Sequence, residues 1–473
     1  MKSPIDEGIT AEDLGHVLFM GVGGVGMSGL ARLYATRGLS VSGSELHEWP
    51  SLAELERLGV TVHREHRASN LDGIDTLVRS TVHPDDHLEI AEARRRGIRV
   101  YHRSEALAAA MTGKKSIVVS GTHGKTTTTG MITDMLAAAG LNPSFVNGGE
   151  SAADGRSGAH GSGELFVTEA DESDRSFLRY RPFVSILTNI DVDHLNTYGT
   201  IEELVEGFAE FLRGTDPSGS IIVCADDERA AAVGKRLAAE GRTVVSYGTD
   251  AEADLRIGEI TIDASGARYT ASYRGRDLGS FFVTVPGRHL ALNSAAALLA
   301  GLLLDVDVEE LRTGLAAFTG VRRRFELTGT VAGVRVYDEY AYHPTAMNAA
   351  LSTLKTIAEP GRLIVVFQPY RVYRTRDLRT EIAEALALAD LAVVMEVFGP
   401  GEELADDDGG RPLVEAIPLP PQAKRFVPQW SDVPGAVREW AREGDTVVTM
   451  GAPPISLMPA DILRELLPPE STE

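Results

Sequence analysis

The sequence predicts an α/β protein of three domains, and three observations lead to this prediction. Short apolar segments alternate with helical segments along most of the chain, as in parallel sheets whose strands are joined by crossover helices. Glycine-rich loops at residues 21–29 and 121–130 each stand between a predicted strand and a predicted helix. The chain has 473 residues, whereas a single core rarely grows beyond about 250–300 residues.

The first predicted domain, residues 1–110, is Rossmann-like. Its elements, in chain order, are strand HVLFM, the first glycine loop, helix MSGLARLYATRG, strand LSVSGSE, helix SLAELERLGV, and strands TLVRS and IRVYH. This order predicts a parallel sheet with crossover helices.

The second predicted domain, residues 111–318, begins as another alternating run, of P-loop ATPase type. Its predicted strands are KSIVVSG, ELFVTEAD, VSILTNI and GSIIVCADD. The segment RIGEITIDASGARYTASYRGRDLGSFFVTVPG alternates polar and apolar residues between turns, which predicts a small antiparallel section. Helices LNSAAALLAGLLL and VEELRTGLAAF end the domain. The apolar run in the first of these helices is shorter than the ~20 residues of a membrane helix, so a buried helix is predicted.

The third predicted domain, residues 319–473, is again Rossmann-like and doubly wound. Its predicted strands are VRVYDEY, RLIVVFQPY, LAVVMEVFG and DTVVTMG. Helices such as LRTEIAEALALA lie between these strands and complete the alternation.

Composition and charge exclude some classes of protein. The formal net charge of −22 argues against a nucleic-acid partner, because binding a polyanion requires a clustered excess of Lys and Arg. The single cysteine, Cys224, cannot form an intrachain disulfide and is expected to be a small buried residue of a strand. The segment MKSPIDEGITAEDLG is acidic where a secretion signal would be basic and then apolar, so a cytoplasmic location is expected.

The first glycine loop has the G-x-G-x-x-G pattern at Gly21, Gly23 and Gly26, between a predicted strand and a predicted helix. In this position glycines let a pyrophosphate approach the helix N-terminus. Glu45, at the end of the next strand, stands where an acceptor for a ribose hydroxyl is expected. The pattern indicates a diphosphate without identifying it, and a tight strand-to-helix turn is the alternative.

The second glycine loop, GTHGKT, is a variant of the P-loop. Gly124 allows a sharp turn, Lys125 can reach terminal phosphates, and the Thr126 hydroxyl can bind magnesium. The strict pattern requires a glycine where Val119 stands. A nucleoside triphosphate is therefore predicted here and a different diphosphate at the first loop, and a dehydrogenase would not need both.

Acidic residues follow two strands of the second domain. They lie in FVTEADESD, residues 166–174, and in TNIDVDHLNTYG, residues 188–199, which contains Asp191, Asp193 and His194. We expect the two strands to be neighbours and their ends to supply magnesium ligands, the alternative being two solvated turns. Other histidines of the first domain are expected mostly to face solvent: His63, His66, His83 and His87.

Eight motifs together resemble the Mur ligases of peptidoglycan synthesis. In order they are GVGGVGMSGLA, GTHGKTTTT, EADESD, TNIDVDH, PGRHLALN, GVRRRFE, DEYAYHPT and FQPYRVYRT, and they span nearly the whole chain. The resemblance is closest to the alanine-adding branch, because helix IEELVEGFAEFLR lacks the lysine that some relatives carbamylate. It implies an ATP-dependent, ADP-forming enzyme that joins the carboxylate of UDP-N-acetylmuramate to an amino acid, L-alanine first, through an acyl phosphate.

The resemblance also implies ligands and residue roles. The UDP-sugar contacts would be Gly21, Gly23, Gly24, Val25, Gly26, Met27, Ser28, Ser44 and Glu45. The ATP contacts would be Gly121, Thr122, His123, Gly124, Lys125, Thr126, Thr127, His289, Asn293, Arg323 and Arg324. Two Mg²⁺ ions, for which Mn²⁺ can substitute, would be held by Thr126, Glu169 and His194. The catalytic residues would be Lys125, Glu169, His194, Arg324, Glu339 and His343, and the amino-acid contacts Tyr340, Tyr342, Arg371 and Arg374.

The third domain departs from the family pattern. The family's D-D-Y-(A/G)-H-H-P reads DEYAYHP here, FQPYRVYRT has Tyr370, Val372 and Tyr373 where histidine, tyrosine and a hydroxyl residue are usual, and G-A-G-D reads GAPP. Three alternatives stay open: neutral drift, a paralogue with a rebuilt amine pocket for another amine or acid, and a nucleotide-binding regulator without catalysis. Expected partners are small molecules only, with no nucleic acid and no membrane insertion, and a monomer–dimer equilibrium is expected.

Overall fold

The structure, a computed structural model, describes residues 6–405 and 407–467. The chain divides into two compact units. The first unit comprises Met1–Ile260, Arg268–Val283 and Leu290–Thr319, and the second comprises Thr261–Ala267, Thr284–His289 and Gly320–Glu473. The predicted outer limits at residues 1 and 473 lie outside the described residues.

A five-stranded parallel sheet forms the beginning of the first unit. Its strands are β1 (Val17–Met20), β2 (Val41–Ser44), β3 (Thr61–His63), β4 (Thr76–Arg79) and β5 (Arg99–His102), in the order β3-β2-β1-β4-β5. Its helices are α1 (Val25–Thr36), α2 (Pro50–Arg57), α3 (Leu88–Arg95) and α4 (Arg103–Met111). The strand order reverses between β1 and β4, so the first glycine loop lies at a topological switch point, where such sheets bind ligands.

The central sheet has ten strands. They are β6 (Lys115–Ser120), β7 (Ser144–Val146), β8 (Gly158–Ala159), β9 (Leu165–Glu169), β10 (Val184–Leu187), β11 (Ser220–Cys224), β12 (Val244–Gly248), β13 (Leu255–Asp263), β14 (Gly266–Tyr273) and β15 (Arg276–Val283). Their order is β15-β14-β13-β12-β11-β10-β6-β9-β7-β8. The strands β13 to β15 are successive neighbours joined by two-residue turns, so they run antiparallel, as predicted.

Six helices accompany the central sheet. They are α5 (Lys125–Ala138), α6 (Leu195–Tyr198), α7 (Ile201–Arg213), α8 (Glu228–Ala239), α9 (Arg288–Leu303) and α10 (Val308–Ala316). The apolar run of α9 is buried, and Cys224 lies buried in β11, so both predictions are confirmed. Within residues 6–405 and 407–467, no helix has the length and apolar character needed to cross a membrane.

The two acidic segments do not follow neighbouring strands, which corrects the prediction. Strand β6 lies between β9 and β10 and pairs with both. The second glycine loop follows β6, so the acidic strand ends flank this loop from both sides. Strands β9 and β10 are consecutive in sequence but not adjacent in the sheet, because parallel strands joined by crossover connections need not be neighbours.

The third sheet has six strands and lies in the second unit. They are β16 (Glu326–Val331), β17 (Val334–Glu339), β18 (Leu363–Phe367), β19 (Leu391–Val394), β20 (Lys424–Phe426) and β21 (Thr446–Met450), in the order β16-β17-β21-β18-β19-β20. Its helices are α11 (Pro344–Ala358), α12 (Val372–Asp377), α13 (Arg379–Leu386), α14 (Gly410–Ala416), α15 (Val433–Trp440) and α16 (Met458–Glu465). Only the β16–β17 pair among the strand pairs of this sheet is antiparallel.

A backbone contact joins α1 to the central sheet. A Cβ atom on Gly29 of α1 would lie 2.8 Å from the carbonyl oxygen of Ser157. A Cβ atom on Gly158 of β8 would overlap the carbonyl group of Gly29. The two glycines therefore let the helix that follows the first glycine loop pack directly on the strand, backbone against backbone.

Asp134 of α5 provides a test of how burial affects stability. Burial, reinforced by the neighbouring charge of Asp154, raises the pKa of Asp134 to about 6, whereas Arg156 opposes the shift. A raised carboxyl pKa means that ionisation costs stability, progressively between the unfolded pKa near 4 and the folded pKa. We expect the substitution Asp134→Asn to raise the melting temperature at pH 7.5 and to have little effect at pH 4. Circular dichroism measures the melting temperatures. An equal change in melting temperature at both pH values would contradict this account.

Candidate functional site

The first glycine loop lies at the end of β1 and is covered by three side chains. A Cβ atom on Gly21, whose φ is +63°, would lie 3.0 Å from Cε1 of His83. A Cβ atom on Gly23 would overlap the indole ring of Trp49, and one on Gly26 would lie 2.6 Å from Nη1 of Arg103. Each glycine of the G-x-G-x-x-G pattern thus makes room for a group that bears an N–H or a ring face.

Glu45 stabilises this loop through its buried carboxylate. Oε2 accepts a hydrogen bond from the backbone N–H of Gly23 at 3.1 Å, and Oε1 accepts from Leu46 N at 2.8 Å and His47 N at 3.0 Å. The carboxylate therefore holds the loop against the turn after β2. Its predicted contact with a ribose hydroxyl stays a prediction.

The other predicted UDP-sugar residues surround the start of α1. Gly24 is the N-cap residue, Val25 begins the helix, and Met27 and Ser28 are buried in its first turn. The Ser44 hydroxyl donates to Oε2 of the buried Glu89 at 2.8 Å, so this side chain is engaged inside the domain.

The four histidines that were expected mostly to face solvent are all partly buried, so that expectation was wrong: His63 lies in β3, and the other three lie beside this loop. The ring centroids of His66, His83 and His87 lie 4.6–6.1 Å apart, each pair in an edge-to-face arrangement. Nδ1 of His66 lies 2.8 Å from Oε2 of Glu89, which also accepts from Asn70 through Oε1. His66 is distant in sequence from His83 and His87, so only the fold shows the whole cluster.

The second glycine loop lies between β6 and α5. Gly121 and Gly124 have φ values of +122° and +85°, which favour glycine, and α5 begins at Lys125 as predicted. A Cβ atom on Gly124 would lie 2.7 Å from Oδ1 of the buried Asn293, so this predicted ATP contact does lie at the loop. Thr127 is buried in the first turn of α5.

Lys125 is held in a buried ion pair that the sequence did not single out. Its ammonium donates to the carbonyl oxygens of Gly121 at 2.5 Å and Thr122 at 3.1 Å, and to Oε1 of Glu172 at 3.0 Å. Burial by itself would lower the pKa of Lys125, but Glu172 and Asp171 outweigh it and raise this pKa. Burial raises the pKa of Glu172 to about 7, against the influence of Lys125. The ammonium thus stays charged at the mouth of the loop.

Thr126 and Glu169 form a pair of oxygen ligands beside Lys125. The Thr126 hydroxyl donates to Oε2 of Glu169 at 2.9 Å. A Cβ atom on Gly148 would overlap Oε1 of Glu169, so glycine leaves space at this carboxylate. A hydroxyl and a carboxylate at the mouth of a phosphate loop fit Mg²⁺, which prefers oxygen ligands and keeps several waters.

His194, in the segment after β10, lies near the carboxylate that pairs with Lys125. Its Nε2 atom is 3.9 Å from Oε1 of Glu172 and 3.9 Å from Oδ2 of Asp193. The residue adopts a left-handed conformation, with φ +56°, at the N-terminus of α6. The structure therefore brings Lys125, Glu172 and His194 into one cluster.

The segment after β10 contacts the loop through side chains. Asn189 accepts from His123 N at 2.9 Å, and His123 Nε2 lies 3.0 Å from Oδ2 of Asp191. The Thr122 hydroxyl oxygen accepts from the backbone N–H of Asp191 at 2.9 Å. Asn189 was missed because an amide in a strand-end segment has no distinctive sequence signal.

In the second unit, the carboxylate of Glu339, at the end of β17, bonds to the backbone shortly after two predicted catalytic residues, Arg324 and Glu339 itself. Glu339 is buried, and its carboxylate accepts from Phe325 N at 2.8 Å and Ala341 N at 3.0 Å. Burial raises the pKa of Glu339, and Arg324 opposes the shift. The guanidinium groups of Arg323 and Arg324 lie 4.7 Å and 4.5 Å from the ring centroid of Tyr340.

A row of aromatic rings follows in the same unit. The centroids of Tyr340 and Tyr342 are 5.7 Å apart, those of Tyr342 and Tyr370 are 5.6 Å apart, and those of Tyr370 and Phe398 are 6.5 Å apart. The buried Arg374 has its guanidinium 4.6 Å from the centroid of Tyr342. The two tyrosines that replace the family's histidines thus belong to one aromatic row.

The remaining predicted residues of this unit take separate positions. His343 is buried at the N-terminus of α11, and Arg371 donates from Nη1 to the carbonyl oxygen of Pro400 at 3.1 Å. Its guanidinium lies 5.3 Å from the ring centroid of Tyr370. Burial lowers the pKa of His289 to about 4, so this imidazole is neutral at physiological pH.

The chain is similar to known proteins over nearly its whole length. Family models match residues 16–115 (Mur ligase family, catalytic domain), 119–301 (Mur ligase middle domain) and 323–453 (Mur ligase, glutamate ligase domain). The UDP-N-acetylmuramate–L-alanine ligase of Salinispora arenicola is 59% identical over 458 residues, which cover 97% of this chain and 90% of that protein. The ligase of the same name from Acidothermus cellulolyticus is 43% identical, covering 97% of each chain.

A solved structure shows the same fold. The UDP-N-acetylmuramate–alanine ligase of Thermotoga maritima is 26% identical, with a TM-score of 0.81 over 95% of this chain and 98% of that one. Fold and site together define a three-domain α/β enzyme with a glycine-rich loop after the first strand of each of its first two sheets. The chain belongs to the Mur ligase family.

Proposed function

We propose that this ligase uses ATP to join the carboxylate of UDP-N-acetylmuramate to L-alanine, a step of peptidoglycan precursor synthesis. The observation that carries the proposal is the second glycine loop, with Lys125 at its mouth and the Thr126–Glu169 oxygen pair beside it. A separate diphosphate loop for the UDP-sugar and the names of the relatives at 59% and 43% identity support it.

We assign one substrate to each of the three predicted domains. Residues 1–110 hold the UDP-sugar, residues 111–318 hold ATP, and residues 319–473 hold the amino acid. The cytoplasmic location and the monomer–dimer equilibrium stay predictions.

The proposed reaction has two steps. An oxygen of the substrate carboxylate attacks the γ-phosphorus of ATP, ADP leaves, and an acyl phosphate forms. The amine of alanine then attacks the carbonyl carbon, loses a proton, and expels orthophosphate that carries the attacking oxygen. Phosphoryl transfer of this kind depends mainly on positioning and charge neutralisation.

The residues of this chain supply both. Lys125, which is bonded to Glu172 here, would bind the β- and γ-phosphates, and Arg324 is the residue we assign to the transferred phosphoryl group. Thr126, Glu169 and His194 would hold Mg²⁺, which neutralises phosphate charge when bound. Arg371 and Arg374 bind the carboxylate of the amino acid.

A rebuilt amine pocket is the second candidate, and one observation favours it. Tyr342 and Tyr370 stand where the family has histidines, and their rings cover the guanidinium groups that would bind the amino acid. A panel of amino acids and simple amines, with product mass as the readout, separates the two candidates. Turnover with another amine and not with alanine would establish the second. A regulator without catalysis would show tight ATP binding and no turnover with any amine.

Isotope transfer tests the chemistry directly. We expect oxygen-18 placed in the carboxylate of UDP-N-acetylmuramate to appear in the released orthophosphate, with one labelled atom per turnover. A control with label in the water should give unlabelled phosphate. If the carboxylate label never reaches orthophosphate with any amine of the panel, no acyl phosphate forms and the proposal fails.

A further inference from the structure

His83 lies directly at the first glycine loop. Its Cε1 and Nε2 atoms would be 3.0 Å and 3.5 Å from a Cβ atom on Gly21, so this edge of the imidazole faces the loop. Arg79 donates to the carbonyl oxygen of His83 at 2.8 Å and holds the turn after β4. Because a diphosphate lies over such glycines, this edge borders the ligand site.

The charged and titratable groups around His83 come from several strands, helices and turns of the first sheet. His66 precedes α3 in the chain and contacts Glu89 of α3, and His87 caps the same helix by accepting from Glu89 N at 3.3 Å. Glu45 lies on the other side of the loop, and the Arg103 guanidinium covers Gly26. Other charged groups close to the cluster include Asp86, which acts on His87, and Asp85, which forms ion pairs with Arg79 at 3.1 Å and Arg94 at 2.9 Å.

This environment leaves His83 uncharged before a ligand binds. Burial, followed by His87 and His66, lowers the pKa of His83, although Glu89 and Glu45 oppose the shift. Burial and His66 likewise lower the pKa of His87. An imidazole with a pKa below its usual value near 6.5 is neutral at pH 7.5.

We propose that His83 is a diphosphate-binding residue that takes up one proton from solvent when UDP-N-acetylmuramate binds. Two phosphate charges a few ångströms away favour the imidazolium form and add a charged N–H donor at the loop. The diphosphate of a UDP-sugar is doubly esterified and has no proton to exchange near neutral pH, so the proton binds to the protein. The inference rests on the proposed substrate. It adds His83 to the residues that bind this substrate and couples binding to the uptake of one proton.

The sign of the pH dependence follows from linkage. The bound-state pKa of His83 exceeds the free-state pKa, so affinity is greatest below the free-state value and is lost as pH rises through the bound-state value. Between the two values the dissociation constant should rise up to about tenfold per pH unit. Titration calorimetry in two buffers of different ionisation heat, with EDTA present, should show uptake of up to one proton per UDP-N-acetylmuramate.

Two substitutions separate a binding role from a structural one. His83→Phe keeps the ring and removes the proton, so proton uptake and the pH dependence should vanish, with weaker binding at pH 6. His47→Phe changes an exposed histidine after β2 and should keep both. Uridine, which lacks phosphate, should bind both variants and the unchanged protein alike and without proton uptake.

Each outcome bears on a distinct claim. Proton uptake that persists in His83→Phe, or that is lost in His87→Phe instead, overturns the assignment to His83. UDP-N-acetylmuramate binding without proton uptake anywhere between pH 6 and 8 overturns the inference and leaves the proposed function intact. Absence of UDP-N-acetylmuramate binding to the unchanged protein contradicts the proposed function itself.

Discussion

Replacing Lys125 with alanine is expected to lower kcat at least ~10²-fold, by analogy with removal of one preorganised donor to a developing charge. The ammonium lies at the mouth of the second glycine loop, bonded to the Gly121 and Thr122 carbonyl oxygens and to Glu172. These contacts hold it at the loop where we propose that the terminal phosphates bind. Phosphate release with saturating ATP, UDP-N-acetylmuramate and alanine measures the effect.

The fold should survive this substitution. Glu172 loses its partner, but its pKa of about 7 lets it take up a proton instead of remaining a buried charge. Lys235→Ala, at an exposed position of α8, is the matched control and should leave kcat unchanged. An unchanged kcat in the folded Lys125→Ala variant would refute the role of Lys125.

Replacing Arg374 with alanine is expected to raise the KM for the amino acid about 10²-fold or more, because truncating one partner of a buried charge pair costs about 2–5 kcal/mol. The side chain is 6% exposed and is stacked against Tyr342, so its planar fork is fixed before the carboxylate arrives. The KM for ATP should change little. Initial rates at varied alanine and varied ATP separate the two constants.

Two further variants make this result specific. Arg376→Ala removes an exposed guanidinium of the same helix, bonded to Asp377, and should leave the KM for the amino acid unchanged. Arg374→Lys keeps the charge and loses the bidentate geometry, so an intermediate KM is expected. Equal KM values for Arg374→Ala and the unchanged protein would show that the amino acid binds elsewhere.

The repeated alternation of apolar strands and helices predicted three sheets but not all of their strands, since β7, β8 and β12 of the central sheet were not predicted. Strands β1, β6 and β18 coincide with apolar runs, and both glycine loops lie where the pattern placed them. The sequence was less informative at sheet edges. Strands β3 and β20 are only three residues long and have no fully buried face, so they lack the apolar run that marks a central strand.

The candidate site shows a similar division. Lys125 and Thr126 were predicted because a phosphate loop needs neighbouring backbone groups, which are contiguous in sequence. Glu172 was not distinguished from the acids beside it, since only the fold reveals which carboxylate points at Lys125. The histidine cluster escaped prediction for the same reason, because His66 meets His83 and His87 only in the folded chain.

The glycine contact between α1 and β8 limits how the first and the central sheet can evolve independently. With no side chain between Gly29 and Gly158, the spacing of the helix from the strand equals the thickness of two peptide backbones. A chimaera that imports a relative's opening domain would therefore need to import the segment around Ser157 as well. We therefore expect functional recombinants to inherit residues 29 and 158 from the same parent.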